Sequence, residues 1–180
     1  MDQATAIRRL SDFDQMGRSV FTKRDLAKIF IEDNARAFQA GLGRLVRNNI
    51  LLRVMKGIYL FTLSRSRGAD VLERIAIALR RGHYNYISLE SALSEYGVIS
   101  QIPVDRLTIM TTGRKGEYKT PFGTLEFTHT RRSVADIIDS AVDRGRPLKI
   151  ATKRAAFRDL KRVGRNMHLV DEALVYEDDQ

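Results

Sequence analysis

The chain of 180 residues has no cysteine, no tryptophan, three prolines and three histidines. Without cysteine there is no disulfide, no cysteine-ligated zinc or iron–sulfur centre and no thiol nucleophile. The histidines His83, His129 and His168 fall in separate segments without metal-ligand spacing, so neither a metal nor a cofactor is expected. No apolar run approaches the roughly 18 residues of a membrane span, and the first residues lack the apolar stretch of a secretory signal. The expectation is a cytoplasmic protein with no membrane partner. A nucleophile elbow, a Walker-type glycine loop and paired metal-binding aspartates are also missing, which predicts a protein that is not an enzyme.

What the chain does have is positive charge. It carries 31 Lys+Arg against 22 Asp+Glu, a formal net charge of +9, with 43% hydrophobic residues and a mean hydropathy of -0.28. Such a composition describes a folded chain of one domain or two small ones, with nucleic acid as a candidate partner. The excess is uneven: residues 1–67 hold 13 basic and 6 acidic side chains. A second basic concentration runs from Arg144 to Arg165, before an acidic tail with Asp171, Glu172, Glu177, Asp178 and Asp179.

Periodicity predicts a helix over Ala4 to Met16, with Ile7, Leu10 and Phe13 at helical spacing and Gly17 as its stop. Thr22 and Asp25 form a capping-box pattern, and Phe21 with Leu26 a hydrophobic staple, at the start of a helix from Lys23 to about Phe30. Asp33 or Asn34 caps a third helix with an apolar stripe of Phe38, Leu42, Leu45 and Val46. Two strands follow, Leu51 to Val54 and Ile58 to Phe61, joined by a turn at Met55-Lys56-Gly57. Three helices followed by a hairpin is the order of a winged helix.

The polar run from Leu63 to Gly68 reads as a linker, dividing a first domain (1–64) from a second (69–180). In the second, helices are predicted from Asp70 to Leu79 and from a Ser88 cap to Tyr96-Gly97. Strands are predicted at Arg106 to Thr111, Glu117 to Thr120 and Thr124 to Thr130, with turns at Gly113 to Gly116 and Pro121-Phe122-Gly123. Helices return at Val134 to Asp143 and Thr152 to Val163. The predicted class is α+β: an N-terminal winged helix-turn-helix domain, then a small α+β domain with an antiparallel sheet.

In a winged helix the third helix enters the major groove, where Arg pairs with guanine and Asn or Gln with adenine. The outward positions Asn34, Arg36, Gln39, Arg44 and Arg47 suit that task, with Ala40 and Gly43 keeping the surface low. Lys23, Arg24 and Lys28 on the preceding helix, and Arg53 and Lys56 in the wing, would sit near phosphates. Arg154, Arg158, Lys161, Arg162 and Arg165 form a further basic face. That face is either plainly solvated, or a second contact with DNA or an acidic partner.

Two sets of residues resemble a known family, the AbiEi-type antitoxins of type IV toxin–antitoxin systems. The first set is Phe21-Thr22-Lys23-Arg24-Asp25-Leu26 with Leu42-Gly43-Arg44-Leu45-Val46-Arg47 and Gly57-Ile58-Tyr59-Leu60. The second is Tyr86-Ile87-Ser88-Leu89-Glu90-Ser91-Ala92-Leu93, then Tyr96-Gly97-Val98-Ile99 and Thr120-Pro121-Phe122-Gly123-Thr124-Leu125-Glu126-Phe127. The family often has glycine between recognition helix and wing, where this chain has Asn48-Asn49; asparagine can take the same left-handed turn. The resemblance implies an antitoxin that binds inverted-repeat operator DNA, represses its own operon and counteracts a nucleotidyltransferase-like toxin, with or without direct contact. A monomer that binds DNA cooperatively is expected. The alternative is a stand-alone winged helix regulator with a ligand-sensing or dimerising second domain. Read physically, Ser88 is an N-cap, Gly97 a C-cap and Phe122-Gly123 a turn.

Overall fold

The structure, a computed structural model, describes residues 1–65, 68, 70–99 and 105–177. It divides into two compact units, Met1–Leu79 and Arg80–Gln180.

In the first unit, α1 (Gln3–Gln15) is capped by Asp2, whose side chain accepts from the Thr5 amide, and it ends ahead of Gly17 at φ +76°. β1 (Val20–Thr22) leads into α2 (Lys23–Ile29), where both halves of the Thr22–Asp25 capping box are formed. Asn34, not Asp33, caps α3 (Ala35–Arg47) by accepting from the Ala37 amide at 2.9 Å. Asp33 instead pairs with the N-terminal ammonium at 2.8 Å. Asn49 takes the left-handed turn, φ +54°, between α3 and β2 (Leu51–Met55). β3 (Ile58–Phe61) completes an antiparallel sheet in the order β1-β3-β2, and α4 (Val71–Leu79) packs against β1 and β3. Phe38, Leu42 and Leu45 of the predicted stripe join Leu10, Phe21, Leu26, Phe30 and Phe61 in one core, with Val46 packed at its edge. This is the winged helix arrangement, with α3 holding its apolar face inward and its polar face in solvent.

Two expectations change here. The boundary falls after α4 rather than at 63–68, and α4 belongs to the first unit. Asp14, a polar residue of α1, lies buried, accepting from the Ser64 hydroxyl and, at 2.9 Å, from the Arg65 amide. The start of the predicted linker is therefore fixed to α1; Ser66 and Arg67 lie outside the described residues.

The second unit is built on a six-stranded sheet. Its strands are β4 (Asn85–Ile87), β5 (Arg106–Thr111), β6 (Gly116–Thr120), β7 (Gly123–His129), β8 (Ala141–Val142) and β9 (Lys149–Ala151), in the order β6-β7-β5-β4-β9-β8. β5 runs parallel to β7 and β4 parallel to β9, so the sheet is mixed and not antiparallel throughout. The intervening β7 also rules out a hairpin at Gly113 to Gly116, which instead crosses from one strand to a non-neighbour. The β6–β7 hairpin turns at Pro121-Phe122 as expected. α5 (Leu89–Glu95) packs against β5 and α7 (Lys153–Val163), while α6 (Val134–Ser140) stops three residues early because Ala141 and Val142 pair with β9. A 3-10 turn (Met167–Leu169) and α8 (Glu172–Tyr176) follow. Asp178 and Asp179 lie outside the described residues.

Ser88 departs most from its predicted role. It stands at the head of α5 without a side-chain cap bond, because its hydroxyl donates to Asp159 at 2.9 Å. Leu89, fully buried, takes φ +59°, a conformation that costs a non-glycine residue about 1–2 kcal/mol. A buried carboxylate outcompetes the helix end for the hydroxyl, since charge-assisted hydrogen bonds are the stronger kind.

Candidate nucleic-acid interface

Arg36, Ala40, Gly43 and Arg47 recur every three or four residues along α3, opposite the core stripe, and with Gln39 they lie towards solvent. Lys23, Arg24 and Lys28 are exposed on α2, and Arg53 and Lys56 on β2 and the following turn. Among the described residues, none of Lys23, Arg24, Lys28, Arg36, Arg47, Arg53 and Lys56 has an acidic partner. Two arginines outside the predicted set behave differently. Arg9 pairs with Glu32 at 2.6 Å and lies over the Phe30 ring; Arg18 pairs with Asp25 at 3.0 Å and lies over Phe13 and Phe21. Those two hold the unit together.

Two predicted base readers have local employment. Asn34 uses its side-chain oxygen on the α3 cap, leaving its amide nitrogen available. Arg44 is exposed but donates to the Met1 carbonyl at 3.0 Å. The readers left with no such commitment are Arg36, Gln39 and Arg47.

The second basic group splits. Arg154, Arg158, Lys161 and Arg162 line one cavity of about 510 Å³ together with Arg132, Phe157 and Tyr176. Arg165 does not join them: it grips Glu90 with two hydrogen bonds, 2.7 and 3.0 Å, and pairs with Glu126. Burial works against charge on both partners, yet the hydrogen bonds outweigh it, raising the Arg165 pKa and lowering that of Glu90. Arg165 is thus a structural residue.

Sequence reasoning missed Arg132, which no spacing distinguishes from its neighbour Arg131. Its Nε and Nη2 both donate to Oδ1 of Asp159, at 3.1 and 2.8 Å, and its Nη1 donates to Asp136 at 2.9 Å. Asp159, 1% exposed, also accepts from the Ser88 hydroxyl and, at 3.1 Å, from the Tyr86 hydroxyl. Burial, followed by the nearby Asp159 charge, pushes the Tyr86 pKa well above the ordinary tyrosine value. Two histidines that the sequence kept apart also meet. His83 and His129 line a shallow cavity with Gly113, Arg114 and Lys115, and the His129 Nδ1 lies 2.8 Å from the Gly113 carbonyl. A Cβ on Gly113 would lie 3.0 Å from the His83 ring, so a larger residue there needs the imidazole to shift. Among the described residues no cluster of three or more His, Asp or Glu side chains could hold a metal, and no helix is long and apolar enough to cross a membrane.

No protein-family model matches the chain, and no curated protein matches it. A solved structure, that of the RV2827C protein from Mycobacterium tuberculosis, is similar at a TM-score of 0.57 and 17% identity. The match covers 87% of this chain and 59% of that one, so the chain spans about three fifths of its neighbour's length, and the likeness is one of fold.

Proposed function

We propose that the chain is an antitoxin and autorepressor of the AbiEi type. Its first unit places α3 in the major groove of an inverted-repeat operator upstream of its own gene, with Arg36, Gln39 and Arg47 reading bases. Lys23, Arg24, Lys28, Arg53 and Lys56 hold the flanking phosphates. Its second unit serves to counteract a nucleotidyltransferase-like toxin. The observation that carries the DNA-binding half is the group of seven exposed cations without acidic partners among the described residues, gathered on α2, α3 and the wing of a winged helix. Unneutralised cations on such a surface gain most from releasing the counterions of DNA. The toxin half draws on the resemblance in Tyr86 to Leu93 and Thr120 to Phe127.

Fluorescence anisotropy tests the first half, with a labelled duplex from the chain's own promoter against a scrambled one over a salt series. The promoter should bind roughly a thousandfold more tightly. Arg36→Ala with Arg47→Ala should remove most of that preference. Equal binding of both duplexes would overturn the reading. Growth rescue on co-expression with the neighbouring toxin-like gene tests the second half; no rescue would leave a repressor without antitoxin activity.

A further inference from the structure

The cavity on α7 has features that a phosphate backbone alone does not call for. Its volume, about 510 Å³, lies within the range of small-ligand pockets. Among the described residues no carboxylate lines it. Arg132 is neutralised by Asp159 and Asp136, and Arg158 lies 3.5 Å from the same Asp136. Lys161 and Arg162 have no acidic partner among the described residues. At least two positive charges are therefore uncompensated in one concave site, more than a lone carboxylate ligand needs and suited to a di- or triphosphate.

The guanidinium groups are also held in place. Arg158 donates through Nη2 to the Ser140 hydroxyl at 3.1 Å, and Arg162 through Nη2 to the His129 carbonyl at 3.2 Å. Among the described residues, Nε and Nη1 of both remain unbonded and can serve phosphate oxygens. The remaining wall is aromatic. Tyr176 is 59% exposed and meets Phe157 edge-on, with centroids 6.3 Å apart at 83°. A large ring open to solvent beside cations is a stacking platform for an unpaired base. The bases of a duplex are stacked inside it and cannot use such a platform.

We propose that this cavity binds a nucleoside di- or triphosphate, its phosphates held by Arg158, Lys161 and Arg162 and its base stacked on Tyr176. The inference does not rest on operator binding by the first unit, and its test needs no operator. Isothermal titration calorimetry of the full chain with ATP, GTP, guanosine and inorganic pyrophosphate is the experiment. The triphosphates should bind in the micromolar range, roughly 10–100 μM, and guanosine should not bind measurably. Lys161→Gln, at a side chain without partners among the described residues, should weaken GTP about fivefold, and Arg158→Gln with Arg162→Gln at least thirtyfold. Tyr176→Ala should weaken GTP about tenfold and leave pyrophosphate unchanged. Thermal midpoints equal to that of the parent would show that the variants remain folded. The proposal is overturned by the absence of heat with either triphosphate at millimolar concentration, or by GTP affinity unmoved in Lys161→Gln. It is equally overturned if Tyr176→Ala weakens GTP and pyrophosphate alike, or if a scrambled duplex displaces GTP from protein carrying Arg36→Ala and Arg47→Ala.

Discussion

The two units dispose of their carboxylates differently. In the first, Asp2 caps α1, Asp25 closes the α2 capping box, Asp33 meets the N-terminal ammonium and Asp14 accepts from Ser64 and Arg65. Among the described residues of that unit, the arginines seen to pair with acidic side chains are Arg9 and Arg18. In the second unit the acids hold arginines: Glu90 and Glu126 hold Arg165, Asp159 and Asp136 hold Arg132, and Glu95 holds Arg146 at 2.8 Å. One unit uses negative charge on its own backbone and leaves cations open; the other uses negative charge to fix cations in place. Net charge counts cations, but only the assignment of partners tells which of them can meet an external anion.

The strongest way to break that contrast is Asp159→Ala. It would leave Arg132 without its main partner and the Tyr86 and Ser88 hydroxyls unsatisfied, at a cost of about 3–5 kcal/mol to the second unit. Urea unfolding should show that unit melting earlier while duplex binding persists; an unchanged transition would mean the buried pair contributes nothing. A matched pair of substitutions sharpens the comparison. Arg165→Gln should lower stability by about 1–2 kcal/mol and leave duplex affinity alone. Lys28→Gln should do the reverse, with stability moving less than about 0.5 kcal/mol and the slope of log affinity on log salt falling by about 0.9. The same response from both would erase the distinction between fixed and open cations. The smallest effect is confined to alkali. Because Tyr86 holds its proton more tightly when folded, its contribution is complete below the ordinary value of 10.0 and is lost as pH rises towards the higher folded value. Stability of the second unit should therefore decline above about pH 10 in the parent and not in Tyr86→Phe. Equal declines in the two proteins would assign the alkaline loss to other groups.

Local signals were readable in the sequence and distant ones were not. The Thr22–Asp25 box, the helix from about Thr152 to Val163, the α3 stripe and the β2–β3 hairpin all depend on residues a few positions apart, and each formed as expected. β1, β4, β8 and β9 escaped notice because strands of two or three residues carry no periodicity and exist only by pairing. Ser88 has the identity and place of a cap, but its hydroxyl goes to a carboxylate 71 positions away. The basic face of α7 looked uniform in sequence. Glu90, 75 positions before Arg165, removes that residue from the set, while Arg132 enters the cavity from a different segment. For α2 and α3 the exposed residues could be named in advance, since solvent is the neighbour that periodicity predicts best.

Asp159 also sets an order of events. Its partners Tyr86, Ser88 and Arg132 all precede it in the chain, and the first unit is complete by Leu79. During synthesis, where domains generally fold from the N-terminus onwards, the winged helix has every residue it needs before the ribosome reaches the carboxylate that secures the second unit. The closures of 73, 71 and 27 positions in sequence must then be made together around one side chain. Such non-local closures slow folding, so the nascent protein passes through a stage with its cationic face formed and its larger sheet still unanchored.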